Sequence, residues 1–304
     1  MEWLQITPER YSKLFHSYSA TFDCSQTIKN HAKESLVPRD GFLTNFLGTI
    51  VDPSYFEQLL GREGSIEPPP IPGNWHACMS EWGACLRALD LAQSPFTMIE
   101  LGCGWGCWLN NMAVAARNKG FDYKLIGVEG DPHHIEFAKE TCQMNGISSE
   151  YLEIHHGIAA ATEGTALFPN QKVHGKSWGL EPIFSASQRQ RDEAVRSGQY
   201  SSLPMISLEN IIGTHNTIDL LHLDIQGGER DLLENSLNTL SEKVAYIFVA
   251  THSRRNEKGI KNILKDQPWE LEIERPAIYK MQITGPRLKI DGVQGWRNTQ
   301  LRPL

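Results

Sequence analysis

The feature that most constrains the fold is a glycine-rich turn joining two segments of different periodicity. Residues 96–101 form a short apolar run typical of a buried strand, and residues 105–119 repeat their apolar side chains at helical spacing. A second apolar run, residues 124–129, follows at once. Because the helix between the two runs is long enough for a crossover connection, the sequence predicts a parallel strand–helix–strand unit.

The rest of the chain extends this unit into a larger sheet. Asp131 and Pro132 have the residue types of a helix start, and Gly146 can end that helix. Five further apolar runs predict strands at about residues 151–156, 218–224, 244–250, 271–274 and 290–296. We therefore expect an α/β fold with a seven-stranded, mostly parallel sheet that finishes antiparallel.

Two parts of the chain lie outside this pattern. Residues 1–74 include helical stretches near Tyr11 and at about residues 55–60, and they end in a proline-rich connector. We expect them to form an N-terminal helical extension, which either packs against the sheet or caps a binding site. Residues 75–304 then form the main domain. They include a long polar insertion at about residues 161–203, a length typical of functional or disordered segments.

The glycine turn and the strand ends beside it indicate a nucleoside site. Gly102, Gly104 and Gly106 let the backbone turn sharply and approach a flat ligand closely. Glu129 ends the second strand, where a carboxylate can accept hydrogen bonds from both hydroxyls of a ribose. Glu100 precedes the turn and can reach a cationic group.

The nature of the nucleoside follows from charge. Cys107 occupies the third position of a dinucleotide fingerprint and is small enough to leave NAD open. However, Glu100 would bring a negative charge towards a pyrophosphate, and the indole of Trp105 crowds the turn. S-adenosylmethionine has no phosphate and carries an ammonium and a sulfonium, which a carboxylate suits. The charge argument favours the methyl donor.

Three motifs resemble those of a known family. Residues 100–106 (ELGCGWG), 128–132 (VEGDP) and 223–229 (LDIQGGE) are similar to motifs of the FkbM family of S-adenosylmethionine-dependent methyltransferases. The resemblance spans roughly residues 75–298. It implies a Rossmann-like class I methyltransferase fold and methylation of a hydroxyl on a sugar or other secondary metabolite. Gln226 departs from the family pattern, which usually has Glu at that position.

Donor-binding residues can then be assigned to the motifs and strand ends. Residues 157–160 follow the third strand, and small or apolar side chains there suit the face of an adenine ring. The predicted donor-binding residues are Glu100, Gly102, Cys103, Gly104, Trp105, Gly106, Glu129, Gly130, Ile158 and Asp224. We expect residues 1–74 and 161–203 to shape the acceptor pocket instead, since irregular segments on a rigid scaffold often carry specificity.

Asp224 and His252 are the predicted catalytic residues. Both follow apolar strands, so they should meet Glu129 at the carboxyl edge of the sheet. Methyl transfer to an oxygen requires removal of its proton, and either side chain can act as the base. For His252 we expect an ordinary pKa near 6.5 and a rate that rises with pH through one ionisation. Asp224, Glu229 and His252 could instead hold a divalent cation, and their spacing does not decide this.

Two other functions remain open at this stage. One is an NAD-dependent Rossmann-type oxidoreductase or sugar-nucleotide enzyme, and the other is a non-catalytic nucleoside-binding module. The formal charge of −7 and pI near 5.9 argue against nucleic-acid and anionic membrane partners, which require a basic face. Six cysteines without CxxC pairs, no signal peptide and no long apolar window predict a cytoplasmic protein. The sequence does not determine the oligomeric state.

Overall fold

A mostly parallel eight-stranded sheet lies at the centre of the computed structural model, which describes residues 17–171 and 179–304. The strands in chain order are β1 (Ser19–Ala20), β2 (Leu43–Thr44), β3 (Ile50–Val51), β4 (Phe96–Leu101), β5 (Tyr123–Glu129), β6 (Leu152–His156), β7 (Ile158–Ala159), β8 (Gly164–Pro169), β9 (Tyr200–Ile206), β10 (Leu220–Leu223), β11 (Tyr246–Thr251), β12 (Trp269–Arg275), β13 (Ile278–Gln282), β14 (Gly285–Ile290) and β15 (Gly292–Asn298). The helices are α1 (Cys24–His31), α2 (Met79–Leu91), α3 (Cys107–Asn118), α4 (Pro132–Met144), α5 (Gln188–Arg196), α6 (Leu208–Ile212), α7 (Glu229–Asn235), α8 (Leu237–Lys243) and α9 (Arg254–Leu264). The predicted helix near Tyr11 lies outside the described residues.

The strand order confirms the predicted fold class. The central sheet runs β1-β12-β15-β11-β10-β4-β5-β6, with parallel pairing from β11 to β6. Strand β15 pairs antiparallel with both β11 and β12, which gives the predicted antiparallel finish. All seven predicted strands are present, and β1 adds an eighth at the edge. The chain winds outward in opposite directions from β4 and β10, which places a ligand crevice at their carboxyl ends.

Two apolar cores cover the faces of the sheet. On one face, Trp82 of α2 and Met112 of α3 pack against Met98, Phe248 and other fully buried strand residues. On the other face, the short helices α6, α7 and α8 and the longer α9 contribute side chains such as Leu232. Because both faces are covered, the central strands are continuous apolar runs rather than alternating ones.

The N-terminal part is less helical than predicted. Residues 17–74 hold α1, the two-stranded β2–β3 sheet, and two 3₁₀ turns where one helix at about residues 55–60 was predicted. That single helix is wrong because Phe56 is extended and separates the two turns. Ile28, Phe46 and Leu47 join the core beneath α2, so residues 17–74 pack into the main domain.

The long insertion has more regular structure than its polar sequence indicates, since only a short strand at about residues 165–168 is predicted within it. Strand β8 and the start of β9 lie in it, and these two strands form a three-stranded sheet with β7. Helix α5 is capped by Ser187, with Gln190 completing a capping box. Its sequence is almost wholly polar, so no apolar periodicity indicates a helix there. Residues 172–178 are outside the described part of the chain.

A β-hairpin leaves the sheet between β12 and β15. Strands β13 and β14 pair only with each other, and they project from the edge at which the parallel strands end. Pro286 lies within β14 opposite Met281. Asp291 joins the hairpin to β15.

Candidate active site

The glycine turn holds the donor side of the site in contact with strand β10. Gly102 has a φ of +77°, and a Cβ at this position would overlap the main-chain oxygen of Asp224. The N–H groups of Gly102 and Cys103 both donate to the carbonyl of Val128, at 2.9 and 3.1 Å. The turn is therefore tied to β5 on one side and fits closely against the end of β10 on the other.

A pocket of ≈ 230 Å³ opens at this turn. Six of the predicted donor-binding residues lie in its wall: Gly102, Gly104, Glu129, Gly130, Ile158 and Asp224. They come from the ends of β4, β5, β6 and β10, which meet at the switch point of the sheet.

Four other predicted donor contacts are not in the wall. The Glu100 carboxylate points into the core and accepts a hydrogen bond from the Leu109 N–H at 3.0 Å, and burial raises the pKa of Glu100 well above its ordinary value. Trp105 packs against Tyr55 and Trp75. Cys103 and Gly106 also lie away from the pocket. These four residues therefore lie outside the wall of this pocket, because neighbours in a tight turn point to different sides.

Glu129 is placed to hold a ribose. Its Oε2 accepts the Gly104 N–H and its Oε1 accepts the Asp131 N–H, each at 2.8 Å. A carboxylate offers about four lone-pair sites, so about two remain for ligand hydroxyls. Since Glu129 lines the pocket, its free acceptor sites fit the ribose hydroxyls in the adenosine half of S-adenosylmethionine.

The next part of the pocket suits a flat base. A Cβ on Gly130 would lie 2.7 Å from the Phe168 ring, and one on Gly157 would lie 2.9 Å from the Pro204 carbonyl oxygen. Ile158 and Phe168 present apolar surface to the same space. Small residues thus leave a narrow slot between apolar walls.

The insertion contributes directly to this pocket. Phe168, Leu180 and Pro182 lie in its wall together with Gly179, which sits against the Gln226 side chain. The expectation that residues 161–203 shape only the acceptor side is therefore wrong. Sequence reasoning missed these residues because the segment carries no motif, and only its alternating β8 run indicated regular structure.

At the other end of the site, His252 lies among three carboxylates. Its Nε2 is 3.2 Å from Asp224 Oδ1 and 4.0 Å from Asp291 Oδ1, and its Nδ1 is 2.8 Å from Glu229 Oε1. Glu229 is fully buried and also accepts hydrogen bonds from the Gly227 N–H and the Asn256 amide. The four side chains follow or flank β10, β11 and β15, so the predicted meeting of Asp224 and His252 is observed.

The charges set the protonation state of His252. Burial lowers the pKa of His252, but Asp224 and Glu229 outweigh burial and raise the pKa to about 10. Burial alone would raise the pKa of Asp224, and contact with His252 holds that pKa below its ordinary value instead. His252 is thus an imidazolium at neutral pH, and the expectation of a base with an ordinary pKa near 6.5 is wrong.

Two further histidines lie near Asp224 and were not predicted. His222 stacks on Phe248, with ring centroids 4.4 Å apart, and burial lowers its pKa to about 4. Burial lowers the pKa of His76 to about 3. Both imidazoles are therefore neutral, and they make the floor beside Asp224 polar but uncharged.

No group of His, Cys, Asp and Glu has the arrangement of a metal site within residues 17–171 and 179–304. Across the same ranges, no helix is both long and apolar enough to cross a membrane.

The sequence matches a known family over most of this site. Residues 93–275 match the model of the methyltransferase FkbM domain. The chain belongs to the FkbM methyltransferase family. The match covers more than half of the protein, including the glycine turn, Glu129 and Asp224, and it does not favour the NAD-dependent alternative.

This FkbM methyltransferase is similar to several individual proteins. A curated protein from Jannaschia sp. (strain CCS1), named provisionally as a methyltransferase, is 41% identical over 260 residues, which cover 85% of this chain and 92% of that protein. The ribosomal protein L11 methyltransferase of Tolumonas auensis (strain DSM 9187 / NBRC 110442 / TA 4) is 36% identical over 72 residues, 23% of each chain. The crystal structure of an FkbM methyltransferase from Methylobacillus flagellatus KT superimposes with a TM-score of 0.42 at 11% identity, covering 72% of this chain and 54% of that one.

Proposed function

We propose that this FkbM methyltransferase transfers the methyl group of S-adenosylmethionine to a hydroxyl oxygen of a sugar or other secondary metabolite. The observation that carries the proposal is the position of Asp224. It lines the pocket that fits an adenosine and lies 3.2 Å from His252. A donor-binding surface and a proton-accepting pair therefore share one residue.

On the donor side, Glu129 would hold the ribose, and Ile158 and Phe168 would enclose the base. When bound, S-adenosylmethionine supplies an electrophilic methyl group on a sulfonium. The protein's task is then to hold the acceptor oxygen in line and within about 3–3.5 Å, and to exclude water. The backbone-lined turn at Gly102 and Gly104 serves the positioning, since no side chain intervenes.

On the acceptor side, Asp224 and His252 would manage the proton. An aliphatic hydroxyl hardly ionises at neutral pH, so a base beside it accelerates transfer by about 10²- to 10⁴-fold. His252 can accept a proton only after losing its own, which Asp224 and Glu229 resist. A cationic ligand beside Asp224 would lower the pKa of His252, because like charges disfavour the protonated form. Donor binding would thus favour the neutral imidazole that the reaction needs.

Binding and turnover together test the proposal. Calorimetry should show binding of S-adenosylmethionine and S-adenosylhomocysteine, and none of NAD. Methyl transfer would then be measured against matched hydroxyl and amine acceptors, with Asp224→Asn as the inactive variant. Asp266→Asn, which changes an exposed carboxylate beyond the end of α9, is the control. Affinity for NAD alone, or methylation of amines only, would overturn the proposal.

A further inference from the structure

The β13–β14 hairpin concentrates positive charge on an acidic protein. Lys280, Arg287 and Lys289 lie on it, although the chain as a whole has a formal charge of −7. Lys280, Arg287 and Lys289 are all exposed. No carboxylate among the described residues forms an ion pair with any of the three. Within the described part of the chain, the hairpin therefore presents cationic groups that have no carboxylate partner.

The pairing of the two strands brings positive charges together, which is unfavourable unless an anion is bound. Lys280 lies directly opposite Arg287 in the antiparallel register. Side chains at such positions project from the same face, and like charges directly opposite each other destabilise the pair. A bound anion between the two side chains would relieve the repulsion and form charge-assisted hydrogen bonds with both.

The location of the hairpin connects this charge to the methyl-transfer site. The hairpin begins shortly after β12 and ends at Asp291, whose carboxylate lies 4.0 Å from His252. The Tyr279 hydroxyl oxygen accepts a hydrogen bond from the Arg254 N–H at 3.3 Å, which ties the hairpin to the start of α9. Lys280 lies two residues along β13 from Ile278, which pairs with Ile290 at the base of the hairpin, so at about 3.4 Å per residue the two positions are about 7 Å apart.

We propose that Lys280 and Arg287 bind an anionic group carried by the methyl acceptor, a carboxylate, sulfate or phosphate that lies apart from the methylated hydroxyl. The inference rests on the proposed O-methyl transfer and narrows its acceptor to acidic, polyhydroxylated compounds such as an acidic oligosaccharide. The exposed apolar residues Met281 and Ile283 lie nearer the tip of the hairpin than Lys280 does. The proposal therefore assigns the anion to the charged positions nearer the base of the hairpin.

Trigalacturonate and maltotriose are suitable probes, because both are trisaccharides and only the first is anionic. Calorimetry on the protein saturated with S-adenosylhomocysteine should show trigalacturonate binding at least about tenfold tighter than maltotriose. The Lys280→Gln/Arg287→Gln variant should lose about tenfold in affinity for trigalacturonate and keep its affinity for S-adenosylhomocysteine. The Lys33→Gln/Lys265→Gln variant removes two exposed charges elsewhere and should behave as the wild type.

Several outcomes would overturn the inference. These are equal binding of the two trisaccharides, an unchanged affinity in the hairpin variant, or the same loss in the control variant. Tighter binding of vesicles of anionic phospholipid, or of a short RNA, would assign the hairpin to another partner. Thermal melting would detect a folding defect in the double variant. If that variant is unfolded, the affinity of the single variant Lys280→Gln for trigalacturonate provides the test instead. Failure to bind S-adenosylhomocysteine would count against the donor proposal, because the trisaccharides can be titrated without it.

Discussion

The two halves of the proposed site are built in different ways. The donor pocket is formed by backbone and small residues at Gly102, Gly104, Gly130 and Gly157, with Glu129 as its main polar side chain. The acceptor side is a cluster of charged side chains around His252. A backbone-built pocket is sensitive to added volume, whereas a charge cluster is sensitive to substitutions that keep the volume. Substitutions that add volume should therefore impair donor binding, and substitutions that change charge at constant volume should impair the acceptor side.

The largest expected effect is the loss of donor binding in Gly104→Val. Gly104 lines the pocket and has a φ of +52°, so valine would add bulk where the ligand lies and strain the turn. Calorimetry should detect no binding of S-adenosylmethionine. Gly120→Val is the matched control, since Gly120 has a φ of +79° but no atom within 4 Å of an added Cβ. Equal binding losses in both variants would mean that unfolding, not pocket volume, is responsible.

Asp224→Asn and His252→Ala should divide binding from chemistry. His252 does not line the donor pocket, so His252→Ala should slow single-turnover methylation by about 10²- to 10⁴-fold and leave donor affinity unchanged. Asp224→Asn should impair both, because Asp224 lines the pocket and contacts His252. An unaltered rate in His252→Ala would transfer the proton-accepting role to Asp224 or to solvent.

Glu129→Ala should weaken the donor pocket without abolishing it. The substitution removes the acceptor for the ribose hydroxyls and leaves the Gly104 and Asp131 N–H groups without their carboxylate. We expect a loss of about 1–3 kcal/mol in the binding free energy of S-adenosylmethionine. Adenine-containing ligands that lack a ribose should bind the variant and the wild type equally, and a different result would place the ribose elsewhere.

The pH dependence of the rate should depend on Glu229. With the pKa of His252 at about 10, the wild-type rate in the chemical step should still be rising above neutral pH. Glu229→Gln removes one of the two carboxylates that hold the proton, so the midpoint of the profile should move to lower pH. Single-turnover methylation across pH would measure both profiles. Coincident midpoints would exclude His252 as the titrating group.

The smallest effect is on stability. The pKa of His252 rises from 6.5 in the unfolded chain to about 10 in the folded protein, so its ion contacts contribute fully below about pH 6.5 and are lost as pH rises through about 10. Wild type should therefore lose part of its free energy of unfolding between neutral pH and pH 10, and His252→Gln should lose less. Urea denaturation at several pH values would measure the free energy of unfolding of both proteins. If the contacts of His252 contribute nothing, the two proteins will show the same dependence on pH.

Features with a distinct sequence pattern were predictable, and features without one were not. The central strands were predictable because burial on both faces makes them continuous apolar runs, as in 244–250. The glycine turn and the position of Glu129 in the pocket wall were predictable because both depend on residue type at a strand end. Strand β1 and helix α5 were not, since two residues and a polar helix carry no periodic signal.

Side-chain direction and charge coupling could not be predicted from spacing. Glu100 and Glu129 both stand at strand ends, yet Glu100 points into the core and Glu129 into the pocket. The pKa of His252 depends on Glu229 and Asp224, which only the fold brings to its two ring nitrogens. Asp291 approaches from the far end of the chain.

The contact between Gly102 and Asp224 has a mechanical consequence. No side chain fits between the glycine turn and the end of β10, so the two backbone segments pack directly against each other. In the proposed complex, this contact sets the spacing between the methyl donor and Asp224, and a larger acceptor would have to be accommodated elsewhere. The adjustable parts are the segment after β11 and the hairpin, and redesign for new acceptors should begin there.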